Sequence, residues 1–105
     1  MTTLAIEIDK DKLRDFCRRW KITEFALFGS AVRPDEFRDD SDVDVLVSFA
    51  EDSRWTLFDL VDMKEELEAL FGRNVDLLTR RGVEQSHNSI RRRAILSSVV
   101  ELDVA

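Results

Sequence analysis

Ser41-Asp42-Val43-Asp44-Val45-Leu46-Val47-Ser48-Phe49 is the stretch on which the reading of this chain turns. Beyond Asp44 it is almost continuously apolar and rich in branched side chains, the pattern of a central strand covered on both faces. Its polar start is as informative as its apolar body. Alternation along a strand puts Asp42 and Asp44 on one face, with Val43 turned the other way. Two like charges so close repel, and a divalent cation between them relieves the repulsion. The stretch therefore predicts a buried strand with a metal-binding mouth.

Upstream, Glu24-Phe25-Ala26-Leu27-Phe28 is a short apolar run halted by Gly29-Ser30, and a polar stretch from Arg33 to Ser41 follows, containing the only proline, Pro34. This reads as a strand, a tight turn and an exposed loop, with a helical turn after Ser30. Earlier still, Asp9 is placed to cap a helix from Lys10 to about Trp20, in which Leu13, Phe16, Cys17 and Trp20 form one apolar stripe. Downstream, Leu57, Leu60, Val61, Leu67, Leu70 and Phe71 keep the helical period from Thr56 to Phe71, and Gly72 is placed to stop that helix. Asn74-Val75-Asp76-Leu77-Leu78-Thr79 reads as another strand, and about Val83 to Ser98 as a helix carrying Arg91, Arg92 and Arg93. Val99 to Leu102 is ambiguous between helix end and strand.

This element order predicts an α/β fold with a small mixed three-stranded sheet flanked by about four helices. A crossover through the long helix favours parallel second and third strands, so Asp42, Asp44 and Asp76 share one edge of the sheet. If the first strand runs antiparallel to the second, Gly29-Ser30 arrives at that same edge. A purely parallel sheet would separate the glycine-serine turn from the carboxylates, which is the reason to expect the mixed one.

The bulk properties restrict the substrate. With 105 residues and 44% hydrophobic content the chain is expected to form one domain over 1–105. Its 22 acidic and 16 basic residues give a formal net charge of -6, which repels a phosphodiester backbone, so no direct stable nucleic-acid binding is expected. The single cysteine, Cys17, lies in a helical apolar stripe and suits a packing role in a reducing compartment. No stretch approaches the ~20 apolar residues of a membrane span, and Met1 to Lys10 lacks a signal-peptide pattern, so a cytoplasmic protein is expected.

Three carboxylates at the mouth of a sheet can hold a pair of magnesium ions ~4 Å apart, one for the attacking and one for the leaving side of a phosphoryl centre. Phosphate also needs donors. Gly29-Ser30 offers them, because glycine lets the backbone approach closely and the amides and hydroxyl of a turn opening a helix point at an anion. Arg33, a helical turn beyond Ser30, could reach the same oxygens with its planar fork.

Leu27-Phe28-Gly29-Ser30, then Arg33, then Ser41-Asp42-Val43-Asp44-Val45-Leu46-Val47, then Val75-Asp76-Leu77-Leu78-Thr79 resembles the minimal nucleotidyltransferase (MNT) branch of the DNA polymerase beta superfamily, over nearly the whole chain. The resemblance implies that Asp42 and Asp44 ligate the Mg2+ ions that accompany a nucleoside triphosphate, ATP. It implies that Asp76 completes the metal site and helps to deprotonate an acceptor hydroxyl, and that Gly29, Ser30 and Arg33 hold the triphosphate. It also implies that the chain resembles the antitoxin of HEPN/MNT toxin-antitoxin pairs, which adenylylates a tyrosine of a partner HEPN ribonuclease and silences it. The loop departs from the pattern: eleven residues separate Ser30 from Asp42, one more than is usual in the branch, and Pro34 stands where glycine is frequent.

Other readings compete. Asp40, Asp42, Asp44 and Glu51 match positions 1, 3, 5 and 12 of an EF-hand loop, but the obligatory glycine at position 6 is Val45 here. Arg91-Arg92-Arg93 reads as a charged helix face, His87 as surface, and an exposed Trp55 with the helix after it as a contact for a partner. An antitoxin could also work by masking the toxin without catalysis. Nucleotidyl transfer to a small molecule would need an acceptor pocket that no motif in the sequence reveals.

Overall fold

The computed structural model describes residues 9–29 and 42–102. Their elements run α1 (Lys10–Arg19), β1 (Ile22–Phe28), β2 (Val43–Phe49), α2 (Leu57–Phe71), β3 (Val75–Thr79), α3 (Arg80–Glu84), α4 (Ser89–Ser98) and β4 (Val100–Leu102). The strands form one mixed sheet in the order β3-β2-β1-β4, with β2 parallel to β3 and β1 antiparallel to both β2 and β4.

The sheet has four strands where the sequence predicted three. Val100–Leu102 is the addition: three residues after a helix carry too short an alternation to identify, and pairing with β1 makes them a strand. The expected helix from Val83 to Ser98 is two helices. Asn88 breaks it, because its side chain accepts from the Arg91 amide at 3.0 Å and caps α4 as a new start.

Alternation divides the apolar residues between two faces. Phe25, Leu27, Val43, Val45, Val47 and Val75 pack on one side against Leu13, Phe16 and Cys17 of α1 and Met63 and Leu67 of α2. Ala26, Phe28 and Leu46 pack on the other against Val83 of α3 and Ile95 of α4. Phe25–Phe28 of β1 and Val45–Val47 of β2 are therefore buried at every position, as the unbroken apolar run of β2 required.

Each helix is held by local chemistry that the sequence announces. Asp9 accepts from the Lys12 amide at 3.2 Å and caps α1. Thr56 and Asp59 form a reciprocal capping box at the start of α2, and Gly72, in the left-handed conformation at φ +68°, ends it. The inward stripe of α2 differs from expectation. Met63 and Leu67 are fully buried, whereas Leu57 and Val61 are exposed together with Phe58. Leu60, in the same turn, packs against the core, so the inward stripe of α2 runs through Leu60, Met63 and Leu67.

Trp55 is also corrected. It is half-buried, with its indole N–H donating to the Trp20 carbonyl at 2.8 Å and its ring edge-on to Trp20 at 5.1 Å. Trp20 in turn donates to Glu66 Oε2 at 2.8 Å, and Arg19 donates to Glu66 Oε1 at 3.1 Å, which fastens α1 to α2. Among the described residues no helix is long and apolar enough to cross a membrane.

Candidate active site

The carboxylates gather where the sheet topology requires. Asp44 is in register with Asp76 on the parallel neighbour β3, so both side chains rise from the same face. On the other side Asp44 is in register with Phe28, the last residue of β1. Asp42, exposed, stands two residues before Asp44 at the entrance to β2. All three belong to the face that α3 and α4 cover further along the strands. Asp44 is half-buried and Asp76 exposed.

Gly29 closes the row. Its φ of +69° is left-handed, which an L side chain rarely adopts, and a Cβ built on it would overlap Oδ2 of Asp44 and lie 3.2 Å from its Cγ. The absence of a side chain at 29 is thus what lets the Asp44 carboxylate lie against the end of β1. Ser30 and Arg33, the other expected phosphate-binding residues, lie outside the described residues.

One residue outside every motif holds the start of β3 beside the carboxylates. Glu68 of α2 is half-buried and its Oε2 accepts from the Val75 amide at 3.0 Å. The carbonyl of Asn74 accepts from the Val43 amide at 2.9 Å. These two bonds fix where β3 begins beside β2, and so fix the register of Asp76 with Asp44. No motif signals this role, because Glu68 acts through the backbone amide of another element.

The donor set consists of hard carboxylate oxygens from two neighbouring strands, open to solvent, which suits magnesium. Among the described residues no three His, Cys, Asp or Glu side chains already converge in a preformed metal cluster. The backbone register brings Asp44 and Asp76 side by side and leaves the final approach to side-chain rotation. The EF-hand alternative does not survive: Asp44 and Val45 lie within the paired strand β2, where a calcium loop would have to turn.

Comparison with known proteins agrees with this fold. Residues 10–100 match the nucleotidyltransferase domain family. The chain belongs to that family. Among its nucleotidyltransferase relatives is the protein adenylyltransferase MntA of Thermococcus cleftensis, 42% identical over 71 residues that span 68% of this chain and 66% of that protein. A solved structure provisionally described as a minimal nucleotidyltransferase superposes with a TM-score of 0.64 at 33% identity, covering 91% of this chain and 98% of that one. A toxin-antitoxin crystal structure with AMP-PNP shares the fold, with a TM-score of 0.67 at 20% identity over 90% of this chain and 72% of its counterpart.

Between β3, α3 and α4 lies a cavity of about 350 Å³, lined by none of the three carboxylates. It follows the outer side of β3, with an apolar lining that includes Leu60, Leu78, Val83 and Ile95, and with Arg91 and Arg92 at its rim. The Arg92 guanidinium is engaged, donating to the carbonyls of Ser86 at 3.2 Å and Glu84 at 3.4 Å. Arg91 has no side-chain hydrogen bond or ion pair among the described residues.

Proposed function

We propose that the chain is a protein adenylyltransferase that moves AMP from ATP to a hydroxyl, that of a tyrosine, on a HEPN-type toxin and so acts as its antitoxin. The observation that carries this reading is the row formed by Gly29, just past the end of β1, with Asp44 of β2 and Asp76 of β3, two carboxylates in register beside a glycine that makes room for one of them. The 42% identity with a named protein adenylyltransferase supports the same reaction class. Exposed Leu57, Phe58 and Val61 support a protein partner, since large apolar side chains grouped on one helical turn are costly to leave in water.

Magnesium held by Asp42, Asp44 and Asp76 would supply positive charge where the transferring phosphoryl group becomes more negative. The chain's own residues do the rest. The backbone at Gly29, with Ser30 and Arg33 beyond it, binds the polyphosphate and orients it for the departure of pyrophosphate. Asp76, on the edge strand, accepts the proton of the incoming hydroxyl. Asp44, wedged against Gly29, is fixed between the two.

The test is purified chain with α-labelled ATP, magnesium and a HEPN-type ribonuclease. Label is expected in the partner and is expected to vanish with Asp42→Ala or Asp44→Ala while the fold is kept. An unlabelled partner that is nevertheless inhibited would replace this reading with one of masking by binding.

A further inference from the structure

β3 is an edge strand, and the bonds on its inner side fix what it offers on its outer one. The Val43 amide donates to the Asn74 carbonyl, so the backbone groups of Asn74, Asp76 and Leu78 turn towards β2 and those of Val75, Leu77 and Thr79 turn away. The Val75 amide accordingly donates outward, to Glu68. Among the described residues no other hydrogen bond reaches this outer row, which leaves the Val75 carbonyl, both backbone groups of Leu77 and the Thr79 amide open. Such a row is a template for a further strand. β4, the other edge strand, is only three residues long.

α2 supplies an apolar wall beside the row. Glu68 reaches the outer side of β3, so the flank of α2 that carries it overhangs the open edge. Val61 and Leu57 stand seven and eleven residues before Glu68, which at 3.6 residues per turn returns both to within about 20° of that flank. They are 53% and 79% exposed. On the other face of the strand Leu78 opens onto the cavity, so neither side of the edge is covered.

We propose that a second copy of this chain occupies the edge, β3 pairing antiparallel with β3 about a two-fold axis through Leu77. The choice of occupant rests on self-complementarity. With the axis at Leu77, each Leu77 exchanges both backbone bonds with its equivalent, and each Thr79 amide meets the Val75 carbonyl of the other copy. Every open group of the row is then paired, including the carbonyl of the one residue whose amide Glu68 already holds. An axis at Asp76 leaves the Thr79 amide unpaired, and an axis at Leu78 leaves the Val75 carbonyl unpaired. The two α2 flanks come together on one face of a continuous sheet and bury Leu57 and Val61 of both copies. The same pairing sets Leu78 of the second copy opposite Asp76, at the border of the carboxylate row. One flank serves one protein at a time, so, resting on the adenylyltransferase reading, the pair belongs to the chain without its partner.

A five-residue strand and one helix flank make an interface at the low end of the specific range, so a Kd of ~10–100 µM is expected. Sedimentation equilibrium between ~10 µM and ~1 mM measures the association, and amide hydrogen exchange at the two ends of that range locates it. The Leu77 and Thr79 amides are expected to exchange roughly fivefold more slowly at the higher concentration, while the Val75 amide, held by Glu68 in either state, is unchanged. Val61→Lys and, as a second variant of the same wall, Leu57→Lys place a charge in the interface and are expected to raise the Kd at least ~10-fold. Their melting temperatures control for folding. A monomer throughout, or a dimer whose Leu77 and Thr79 amides exchange at the monomer's rate, overturns the proposal. So does a dimer that neither variant weakens while both melt like the wild type. No nucleotide enters these measurements, so their failure leaves the adenylyltransferase reading standing, and a failure of adenylyl transfer leaves the pair standing.

Discussion

Replacing Gly29 by alanine isolates the contact between the end of β1 and the Asp44 carboxylate, because the chain contains its own control. Gly29 and Gly72 have nearly the same left-handed φ, +69° and +68°, but a Cβ at Gly72 meets nothing within 4 Å whereas one at Gly29 runs into Asp44. An L residue in this region costs about 1–2 kcal/mol, partly offset by the ~0.4–1 kcal/mol gained from a less flexible unfolded chain. Gly72→Ala should therefore cost about 0.5–1 kcal/mol, or roughly 5 °C in Tm for a chain of this size. Gly29→Ala carries that cost and also forces the Asp44 side chain off its rotamer, about 0.5–1.5 kcal/mol more. Its melting point should fall by roughly 10 °C. The larger effect is on function: a carboxylate moved by about 1 Å can cost ~100-fold in rate, so Gly29→Ala should lose adenylyl transfer while Gly72→Ala keeps it. In the Asp44→Ala background the additional stability cost of Gly29→Ala should disappear. Thermal melts followed by circular dichroism and transfer of labelled AMP provide both readouts. If Gly29→Ala and Gly72→Ala melt together, and Gly29→Ala retains transfer within about threefold, the wedge between Gly29 and Asp44 plays no part in the site.

Glu68→Ala should leave the Val75 amide without its acceptor, cost about 1–2 kcal/mol in urea denaturation and lower kcat by loosening Asp76, whereas Glu68→Gln, which keeps an acceptor oxygen, should restore most of both. Thr56→Ala removes half of the capping box on α2 and should cost ~1 kcal/mol with transfer unchanged, measurable in the same two assays. Burial pushes the Cys17 thiol up from 9.0 to about 12. Below pH 9 folded and unfolded chains both keep this proton and stability is unaffected. Above it the unfolded chain releases the proton that the native chain retains, so stability falls by about 1.4 kcal/mol per pH unit until the native thiol also ionises. Urea midpoints of wild type and Cys17→Ala, compared across that window, should diverge on this account, with the variant lacking the alkaline decline.

Much of this arrangement is legible in sequence because single residues decide it. Asp9, Thr56 and Gly72 bound their helices through their own side chains or φ, and the apolar run from Val45 to Val47 demands cover on both faces. The antiparallel pairing of β1 with β2 is legible less directly, through the chemistry that needs Gly29 near Asp42 and Asp44. What sequence does not reveal is tertiary choice. Whether Val100–Leu102 continues a helix or extends a sheet depends on the free edge of β1, and which face of α2 turns inward depends on what the sheet presents to it. The inward role of Glu68 and the burial of Trp55 are likewise invisible until α1, α2 and β3 meet. The cavity beside β3 belongs to the same class, since its walls come from four elements, none of which carries a recognisable motif.

The Trp20–Trp55 pair has a practical corollary. These are the only two tryptophans, tyrosine is absent, and both indoles sit on the α1 and α2 side of the sheet, while the carboxylates rise from the opposite side. Near-ultraviolet emission from this chain is thus a single-site optical probe of how the first helix seats on the second, with the sheet as a screen between it and any nucleotide.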